Sequence, residues 1–135
     1  MDESMSRRER KLLVLDLDET LVHASARELD RPADARVVGY HVYKRPHVDA
    51  FLDFAFAHFD VGVWTSSGQL YAEPLVAWLM PERTLEFLWS SQRCSIVRDW
   101  ETGGHSSEKR LYKLKRLGFS LEQMIGIDDT PKKYA

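Results

Sequence analysis

The stretch VLDLDETLVH, at residues 14–23, decides the fold that this sequence predicts. The apolar run at residues 11–17 is short and continuous, which predicts a buried β-strand with an abrupt polar end. That end carries two aspartates, Asp16 and Asp18, and like charges so close together repel each other. A divalent cation such as Mg²⁺ would relieve the repulsion, because it takes oxygen ligands. The alternative is that the pair only caps a turn, or holds the ion as a spectator.

A second short strand, predicted at residues 61–64, ends in hydroxyl side chains. Thr65, Ser66 and Ser67 follow it and lead into a predicted helix. Hydroxyl groups and free backbone N–H groups at such a turn suit a phosphate or another oxyanion. Ordinary capping of the helix by Ser or Thr would explain the same residues. The segment is interpreted as a phosphate-facing wall only because an acidic site is predicted opposite it.

A third predicted strand, Met124–Ile127, is followed by another acidic pair, Asp128 and Asp129. In an open parallel sheet, ligands bind outside the carboxyl ends of the strands. The two acidic pairs are therefore predicted to meet there, although they lie far apart in the sequence. A second pair favours a metal site over a turn cap. Carboxylates, Mg²⁺, a hydroxyl-lined anion site and a nearby lysine are the parts needed for phosphoryl transfer.

Helical periodicity separates the predicted strands, at residues 47–59, Gln69–Leu79 and residues 107–117. Pro74 is expected to kink or split the second of these helices. The alternation of strands and helices predicts an α/β fold with a doubly wound parallel sheet. Further expectations are a loop at residues 21–34, a strand at residues 36–44, a core strand within residues 86–90 and a β-hairpin at residues 94–104.

Length and composition suit one soluble domain: 135 residues, 44% of them apolar and 30% charged. We assign the domain to residues 11–135, behind a disordered tail at residues 1–10. The net charge of −2 argues against nucleic acid as a partner, and no apolar stretch reaches the ~18 residues of a membrane span. The single cysteine, Cys94, excludes an internal disulfide. A cytoplasmic location, or a nuclear one in a eukaryote, is expected; the oligomeric state stays open.

Several separate motifs resemble, in the right order, those of a known family. DLDETLVH has the DxDxT form of the first motif of the haloacid dehalogenase superfamily. VLDLDETLVHAS, with VYKRPHVDAFL after it, resembles the narrower group of NLI-interacting-factor-like, or small CTD, phosphatases. VWTSS and IGIDDTPKKYA resemble that group's second and fourth motifs. The resemblance covers nearly all of the chain from residue 11, and it implies a Rossmann-like fold with a small β insertion at roughly residues 90–105.

The resemblance implies a role for each matching residue. Asp16 would be the nucleophile and a metal ligand. Asp18 would be the general acid and base, and its backbone carbonyl would bind the Mg²⁺. Asp129 would complete the metal site, with Asp128 beside it, and Thr65 would bind the phosphoryl oxygens. The predicted phosphate-binding residues are Thr20, Thr65, Ser66 and Arg45.

The family's third motif needs a lysine that steadies the nucleophile and the phosphate, and Lys109 and Lys113 are the candidates. With Ser106 as the N-cap of the predicted third helix, Lys109 would lie in its first turn, at the end nearest the site. We therefore predict Lys109 as the catalytic lysine. Arg45 could contact phosphate or pair with a neighbouring acid, and the sequence does not separate these roles.

Two departures from the family pattern stand out. Relatives often have Asn where this chain has Asp129, and the chain ends at Ala135, soon after the fourth motif, so we expect either a compact fold or a fragment. The predicted function is Mg²⁺-dependent hydrolysis of a phosphomonoester through phospho-Asp16. The expected substrate is phosphoserine or phosphothreonine in a protein or peptide. A small-molecule phosphomonoesterase and a non-catalytic peptide-binding module are the alternatives.

Overall fold

A computed structural model of the chain describes residues 10–98, 105–109 and 111–127. Within these residues the elements are β1 Leu12–Leu15, β2 Val22–Ser25, β3 Ala35–Val37, β4 Tyr40–Lys44, α1 Val48–His58, β5 Asp60–Trp64, α2 Gln69–Leu79, β6 Leu88–Trp89, β7 Ser95–Arg98, β8 His105–Glu108 and β9 Met124–Ile127. Short 3₁₀ helices occur at Ser91–Arg93, Leu111–Leu117 and Leu121–Gln123. The expected tail at residues 1–10 lies almost wholly outside the described residues.

A parallel sheet of four strands forms the centre, in the order β6-β5-β1-β9. β1 lies between β5 and β9, so Leu12 is opposite both Asp60 and Met124. The connection from β1 to β5 contains β2, β3, β4 and α1, and the connection from β5 to β6 contains α2. The predicted α/β fold with a wound parallel sheet is therefore confirmed.

Both faces of the sheet are covered, which explains why β1 is apolar throughout. Leu13 and Leu15 belong to a core cluster that also contains the buried residues of α1 and α2. Leu12 and Val14 point to the other face, into a cluster with Leu114 from the 3₁₀ helix Leu111–Leu117. No helix in the described part of the chain is long and apolar enough to cross a membrane.

α2 has the predicted bounds and continues past Pro74. The proline lies on the exposed side of the helix, while its buried side consists of Ala72, Leu75, Val76 and Leu79. The backbone hydrogen bond that a proline cannot donate is therefore lost where water can satisfy the carbonyl. Pro74 therefore does not split the helix, and the kink that was the other expectation stays a prediction.

The single strand expected at residues 36–44 is a hairpin instead, formed by β3 and β4. Val38 and Gly39 make its two-residue turn, with φ of 48° and 84°. A β-branched residue rarely adopts positive φ, so Val38 hid the turn from a pattern-based prediction. The loop expected at residues 21–34 also begins with a strand, β2, which pairs with β4. These strands form a small antiparallel sheet in the order β2-β4-β3.

The hairpin expected at residues 94–104 exists as β7 and β8, but its second arm lies beyond the expected range, and its expected turn at residues 101–104 is outside the described residues. The helix expected at residues 107–117 is wrong over its first residues. His105–Glu108 is a strand that pairs with β7, and Ser106 lies within it instead of capping a helix. Strand pairing outweighed the helical pattern because it satisfies the backbone of the hairpin's second arm. Gly118 ends the following 3₁₀ helix with φ of 93°.

Gly62 in β5 allows Phe87 to pack against the sheet, and this contact yields a stability prediction. A Cβ at position 62 would lie 2.2 Å from Cε1 of Phe87, whose ring is buried in the second core cluster. We expect Gly62→Ala to lower the free energy of unfolding by about 1–3 kcal/mol, measured by urea denaturation.

Gly68→Ala is the matched control for this experiment. Gly68 has φ of −73°, and no atom lies within 4 Å of the position of its Cβ. We expect that variant to lose only about 0.5 kcal/mol, the cost of alanine at a helix N-cap. Equal losses in the two variants would contradict the packing role assigned to Gly62.

Candidate functional site

The chain turns sharply after β1, and the turn is built around one carbonyl. The Leu17 oxygen accepts hydrogen bonds from the backbone N–H groups of Thr20, Leu21 and Val22, at 3.2, 2.8 and 3.2 Å. Glu19 has φ of 63°, which lets the chain reverse. The predicted strand at residues 11–17 therefore ends early, at Leu15. Asp16 and Asp18 project from this turn at the carboxyl edge of the sheet.

Asp16 forms an ion pair with Lys109 in the interior of the protein. Lys109 Nζ lies 3.0 Å from Asp16 Oδ1, and the two side chains are 0% and 5% exposed. Thr20 Oγ1 lies 3.5 Å from the other carboxylate oxygen, at the long limit of a hydrogen bond. Burial of an aspartate charge is costly unless a cation pairs with it, and Lys109 meets that need.

Lys109 reaches the site by a different route from the one the sequence indicated. The residue follows β8 directly and precedes the 3₁₀ helix Leu111–Leu117, so it does not lie in the first turn of a helix. The choice between the two lysines nevertheless agrees with the geometry. Lys113 Nζ donates instead to the carbonyl oxygen of Arg93, at 2.9 Å.

Asp18 turns its carboxylate toward α2. Ser67 Oγ donates to Asp18 Oδ2 at 2.7 Å, and the Tyr71 hydroxyl donates to Asp18 Oδ1 at 2.6 Å. Burial raises the pKa of Tyr71, and its hydrogen bond to Asp18 raises it further. The Tyr71 hydroxyl therefore stays protonated at neutral pH and can act as a donor.

Ser67 and Tyr71 were not among the predicted site residues. The sequence places Ser67 only within the hydroxyl segment and gives Tyr71 no functional role. A signal existed, because Tyr71 lies in the first turn of a helix that begins at the predicted ligand edge. A tyrosine in an apolar helix is nevertheless an ordinary packing residue, so the sequence alone gave no reason to select it.

The hydroxyl segment after β5 is held against β6. Thr65 is 1% exposed, its N–H donates to the carbonyl oxygen of Trp89 at 2.8 Å, and its Oγ1 accepts from the N–H of Ser67 at 3.0 Å. The N-cap of α2 is Gly68, and no side chain caps it. Ordinary helix capping therefore does not account for these hydroxyls. The Thr65 hydroxyl is instead used within a local turn, where it accepts the hydrogen bond from Ser67 N–H. Ser66 is partly exposed beside it.

Arg45 braces the turn that follows β1. Its Nη1 donates to the Glu19 carbonyl oxygen at 2.5 Å and lies 4.0 Å from Glu19 Oε2. His23 Nδ1 also contacts the Glu19 carboxylate. Of the two roles considered for Arg45, these contacts favour pairing with an acid. Phosphate binding by Arg45 and by Thr20 stays a prediction.

A cavity of about 400 Å³ opens beside Asp18. Its wall is formed by Asp18, Glu19, Ala24, Tyr40, Ser67, Gly68 and Tyr71. The rings of Tyr40 and Tyr71 meet edge to face, with centroids 5.7 Å apart. The wall of the cavity thus combines two aromatic rings, Tyr40 and Tyr71, with two acidic residues, Asp18 and Glu19.

Of the predicted metal ligands, Asp16 and Asp18 lie within the described residues. Asp128 and Asp129 lie outside the described residues, and within the described ranges no three His, Cys, Asp or Glu side chains form a metal-binding group. The Asp16 N–H donates to the carbonyl oxygen of Ile127 at 3.0 Å, so the chain that leads to Asp128 passes next to Asp16. Carboxylate and carbonyl oxygens are the donors present, and they are the ligands that Mg²⁺ prefers.

Comparison with known proteins gives a consistent match. The family model described as "NLI interacting factor-like phosphatase" matches residues 11–135. A probable C-terminal domain small phosphatase of Dictyostelium discoideum is 33% identical over 132 residues, which are 92% of this chain and 40% of that protein. A human CTD small phosphatase-like protein is 32% identical over 135 residues, 93% of this chain and 45% of that protein.

The fold matches a solved structure of the fission yeast RNA polymerase II CTD phosphatase Fcp1 bound to beryllium fluoride. The TM-score is 0.68 at 18% identity, and the match covers 93% of this chain and 38% of that chain. At this identity the similarity establishes the haloacid dehalogenase type of fold. The chain spans less than half the length of each of these three proteins.

The buried ion pair predicts a coupling between two substitutions. We expect Lys109→Met to lower the free energy of unfolding by about 3–5 kcal/mol, because it leaves the Asp16 charge buried without its cation. Asp16→Asn in the same chain removes that charge and should restore much of the loss. The coupling is measured by urea denaturation in a chelating buffer. The four proteins compared are the wild type, the two single variants and the double variant. Additive losses would contradict the pairing.

Proposed function

The chain belongs to the NLI interacting factor-like phosphatase family, and from that membership we propose that it hydrolyses phosphomonoesters through a phosphorylated Asp16. The observation that carries the proposal is the buried carboxylate of Asp16, with Lys109 Nζ at 3.0 Å and a second carboxylate, Asp18, two residues away. A carboxylate is a competent nucleophile toward phosphorus when it is held ionised and oriented. The ion pair with Lys109 supports both conditions.

The first step forms a bond between a carboxylate oxygen of Asp16 and phosphorus, and it breaks the bond between phosphorus and the substrate's alcohol oxygen. Lys109 limits the repulsion between the anionic nucleophile and the anionic phosphoryl group. The departing oxygen takes a proton from Asp18, which acts as the general acid. The products of this step are the free alcohol and an acyl phosphate on Asp16.

The second step returns the enzyme to its starting state. Asp18, now a carboxylate, takes a proton from a water molecule that attacks the phosphorus. The bond between phosphorus and Asp16 breaks, and inorganic phosphate leaves. Ser67 and Tyr71 support this assignment, because their hydroxyls hold the Asp18 carboxylate in the wall of the cavity. Hydroxyls can accept as well as donate, so they suit both protonation states of Asp18.

Mg²⁺ fits the oxygen donors at this edge of the sheet. The residues that would hold it are Asp16, Asp18 through its backbone carbonyl, and Asp129 with Asp128 beside it. When bound, the ion would offset the negative charge of the carboxylates and of the phosphoryl group. Asp18 has its side-chain oxygens engaged by Ser67 and Tyr71, which is consistent with a metal contact through its backbone.

Phosphoserine or phosphothreonine in a protein or peptide is the substrate class that we propose. The cavity beside Asp18 is open to solvent along exposed Tyr40, and an open cleft admits a bulky chain where a closed cap would select a metabolite. Hydrolysis of a small phosphomonoester is the alternative. A purely peptide-binding role is less consistent with the intact set of Asp16, Asp18 and Lys109. We propose a cytoplasmic or nuclear location.

The nucleophile can be tested directly. We expect Asp16→Asn to remove nearly all turnover of an aryl phosphate, because an amide is a poor nucleophile, and we expect the wild type to lose activity in excess chelator and regain it with Mg²⁺. Asp53→Asn is the control, since Asp53 is exposed on α1 and pairs with Arg83. Substantial turnover by Asp16→Asn would contradict the covalent mechanism. Full activity in chelator would contradict its dependence on Mg²⁺.

The general acid has a separate signature. We expect Asp18→Asn to slow turnover by roughly 10²–10⁴-fold for a substrate with a poor leaving group, and by much less when the leaving group needs no proton. The dependence on the leaving group is measured with a series of aryl phosphates of increasing phenol pKa. Trapping of phospho-Asp16 in the same variant accompanies this measurement. If the slope against leaving-group pKa is unchanged by the substitution, another group supplies the proton.

A further inference from the structure

A second groove opens at the carboxyl edge of the sheet, beyond the first residues of α2. Its volume is about 200 Å³, and its wall is formed by Gln69, Leu88, Trp89, Ser90, Gln92 and Arg93. Gly68 lines the cavity beside Asp18, and the next residue, Gln69, lines this groove. The cavity and the groove are therefore neighbours on either side of this point of the chain. The mechanism above makes no use of the groove.

Arg93 is the charged residue of the groove, and the structure holds it in place. Its guanidinium carbon lies 4.6 Å from the centroid of the Trp89 ring, and Trp89 is 8% exposed. Its backbone N–H donates to the Ser90 carbonyl oxygen at 3.0 Å, and its own carbonyl accepts from Lys113 Nζ at 2.9 Å. A guanidinium over an aromatic face is held there by cation–π attraction, and because Arg93 is exposed its N–H donors stay accessible to another molecule.

Arg93 is exposed and has no acidic partner in the described part of the chain. By contrast, Arg10, Arg31 and Arg83 each form an ion pair with an aspartate. The groove also contains polar groups from Gln69, Ser90 and Gln92. A guanidinium that lies over an aromatic ring, among hydrogen-bonding groups and without an acidic partner in the described ranges, is suited to bind a carboxylate or phosphate of another molecule.

The groove is tied by hydrogen bonds to the segment that is predicted to contact the phosphate. Thr65 N–H donates to the Trp89 carbonyl oxygen at 2.8 Å, and Ser91 N–H donates to that of Ser67 at 2.9 Å. β6 is two strands away from β1, which places its end about 10 Å from that of β1 at ~4.8 Å per strand. An extended peptide covers that distance in about three residues at ~3.3 Å each.

We propose that this groove is a subsite for an anionic side chain of the substrate, about three residues from the phosphorylated one, and that Arg93 is the residue that recognises it. The proposal rests on the proposed phosphatase function and adds a preference for acidic phosphopeptides. The anion is the carboxylate of Asp or Glu or a second phosphoserine, since both present the oxygens that a guanidinium binds in a bidentate way. Arg93 acts on substrate binding and not on the chemical steps.

The test compares kcat/KM for a panel of phosphoserine peptides. Each peptide carries one Glu, or one second phosphoserine, at a single position up to four residues on either side, in an otherwise neutral sequence. For the wild type we expect a gain of about 3- to 10-fold over the neutral peptide, confined to positions near the third residue on one side and expressed in KM. The two sets of peptides distinguish a carboxylate from a phosphate as the preferred anion.

Arg93→Gln should abolish this gain while turnover of the neutral peptide and of an aryl phosphate stays unchanged. Lys115→Gln is the matched control, because it removes an exposed positive charge at the opposite edge of the sheet, and it should keep the gain. Gln92→Glu is the second variant, used if Arg93→Gln does not fold, and it should also abolish the gain by placing a negative charge in the groove.

The proposal is overturned if the wild type shows no preference for any acidic position, or if Arg93→Gln, folded as shown by its urea midpoint, keeps the preference. Retention of the preference by Gln92→Glu overturns it equally. These results are distinct from a failure of the proposed function, which would appear as absence of Mg²⁺-dependent aryl phosphate turnover in the wild type. A preference that disappears in Arg93→Gln, with aryl phosphate turnover intact, supports the subsite.

Discussion

The buried charge of Asp16 is the constraint on which the rest of the structure depends. A carboxylate with 4% of its surface exposed needs a cation, and Lys109 supplies it from a position 93 residues further along the chain. The connection after β6 must therefore pass across the carboxyl edge of the sheet and return beside β1. The hairpin β7–β8 ends directly before Lys109, so the arm of an otherwise peripheral insertion positions a residue of the site.

The same edge is organised around the first residues of α2. Ser67 and Tyr71 contact Asp18 on one side, and the backbone of residues 65–67 is bonded to the β6 segment on the other. One cavity opens on each side, the first acidic and aromatic, the second containing Arg93. The proposed chemistry and the proposed selectivity therefore share a short piece of backbone, hydrogen-bonded to the β6 segment, without sharing side chains. A substrate that spans both cavities would cross this piece of backbone.

Sequence reasoning succeeded where local pattern and strand burial agree. β9 and α2 have the predicted bounds, because each is a continuous apolar or amphipathic run with a clear stop. It failed where a residue adopts a backbone conformation that its type disfavours, as Val38 does in the β3–β4 turn. It also failed at residues 105–108, where pairing with β7 determined the conformation. Pairing partners are not visible in a local window, so such errors are expected.

By itself, the sequence determined the fold class, the family and the edge at which the candidate site is proposed to lie, because the apolar runs and the DxDxT motif are local features. It also singled out Asp16, Asp18, Thr65 and Lys109. Only the tertiary structure decided how these residues are used: that Lys109 pairs with Asp16, that Tyr71 holds Asp18, and that Arg45 braces a turn. These contacts join segments distant in the chain, and their strength depends on burial, which exists only once both faces of the sheet are covered.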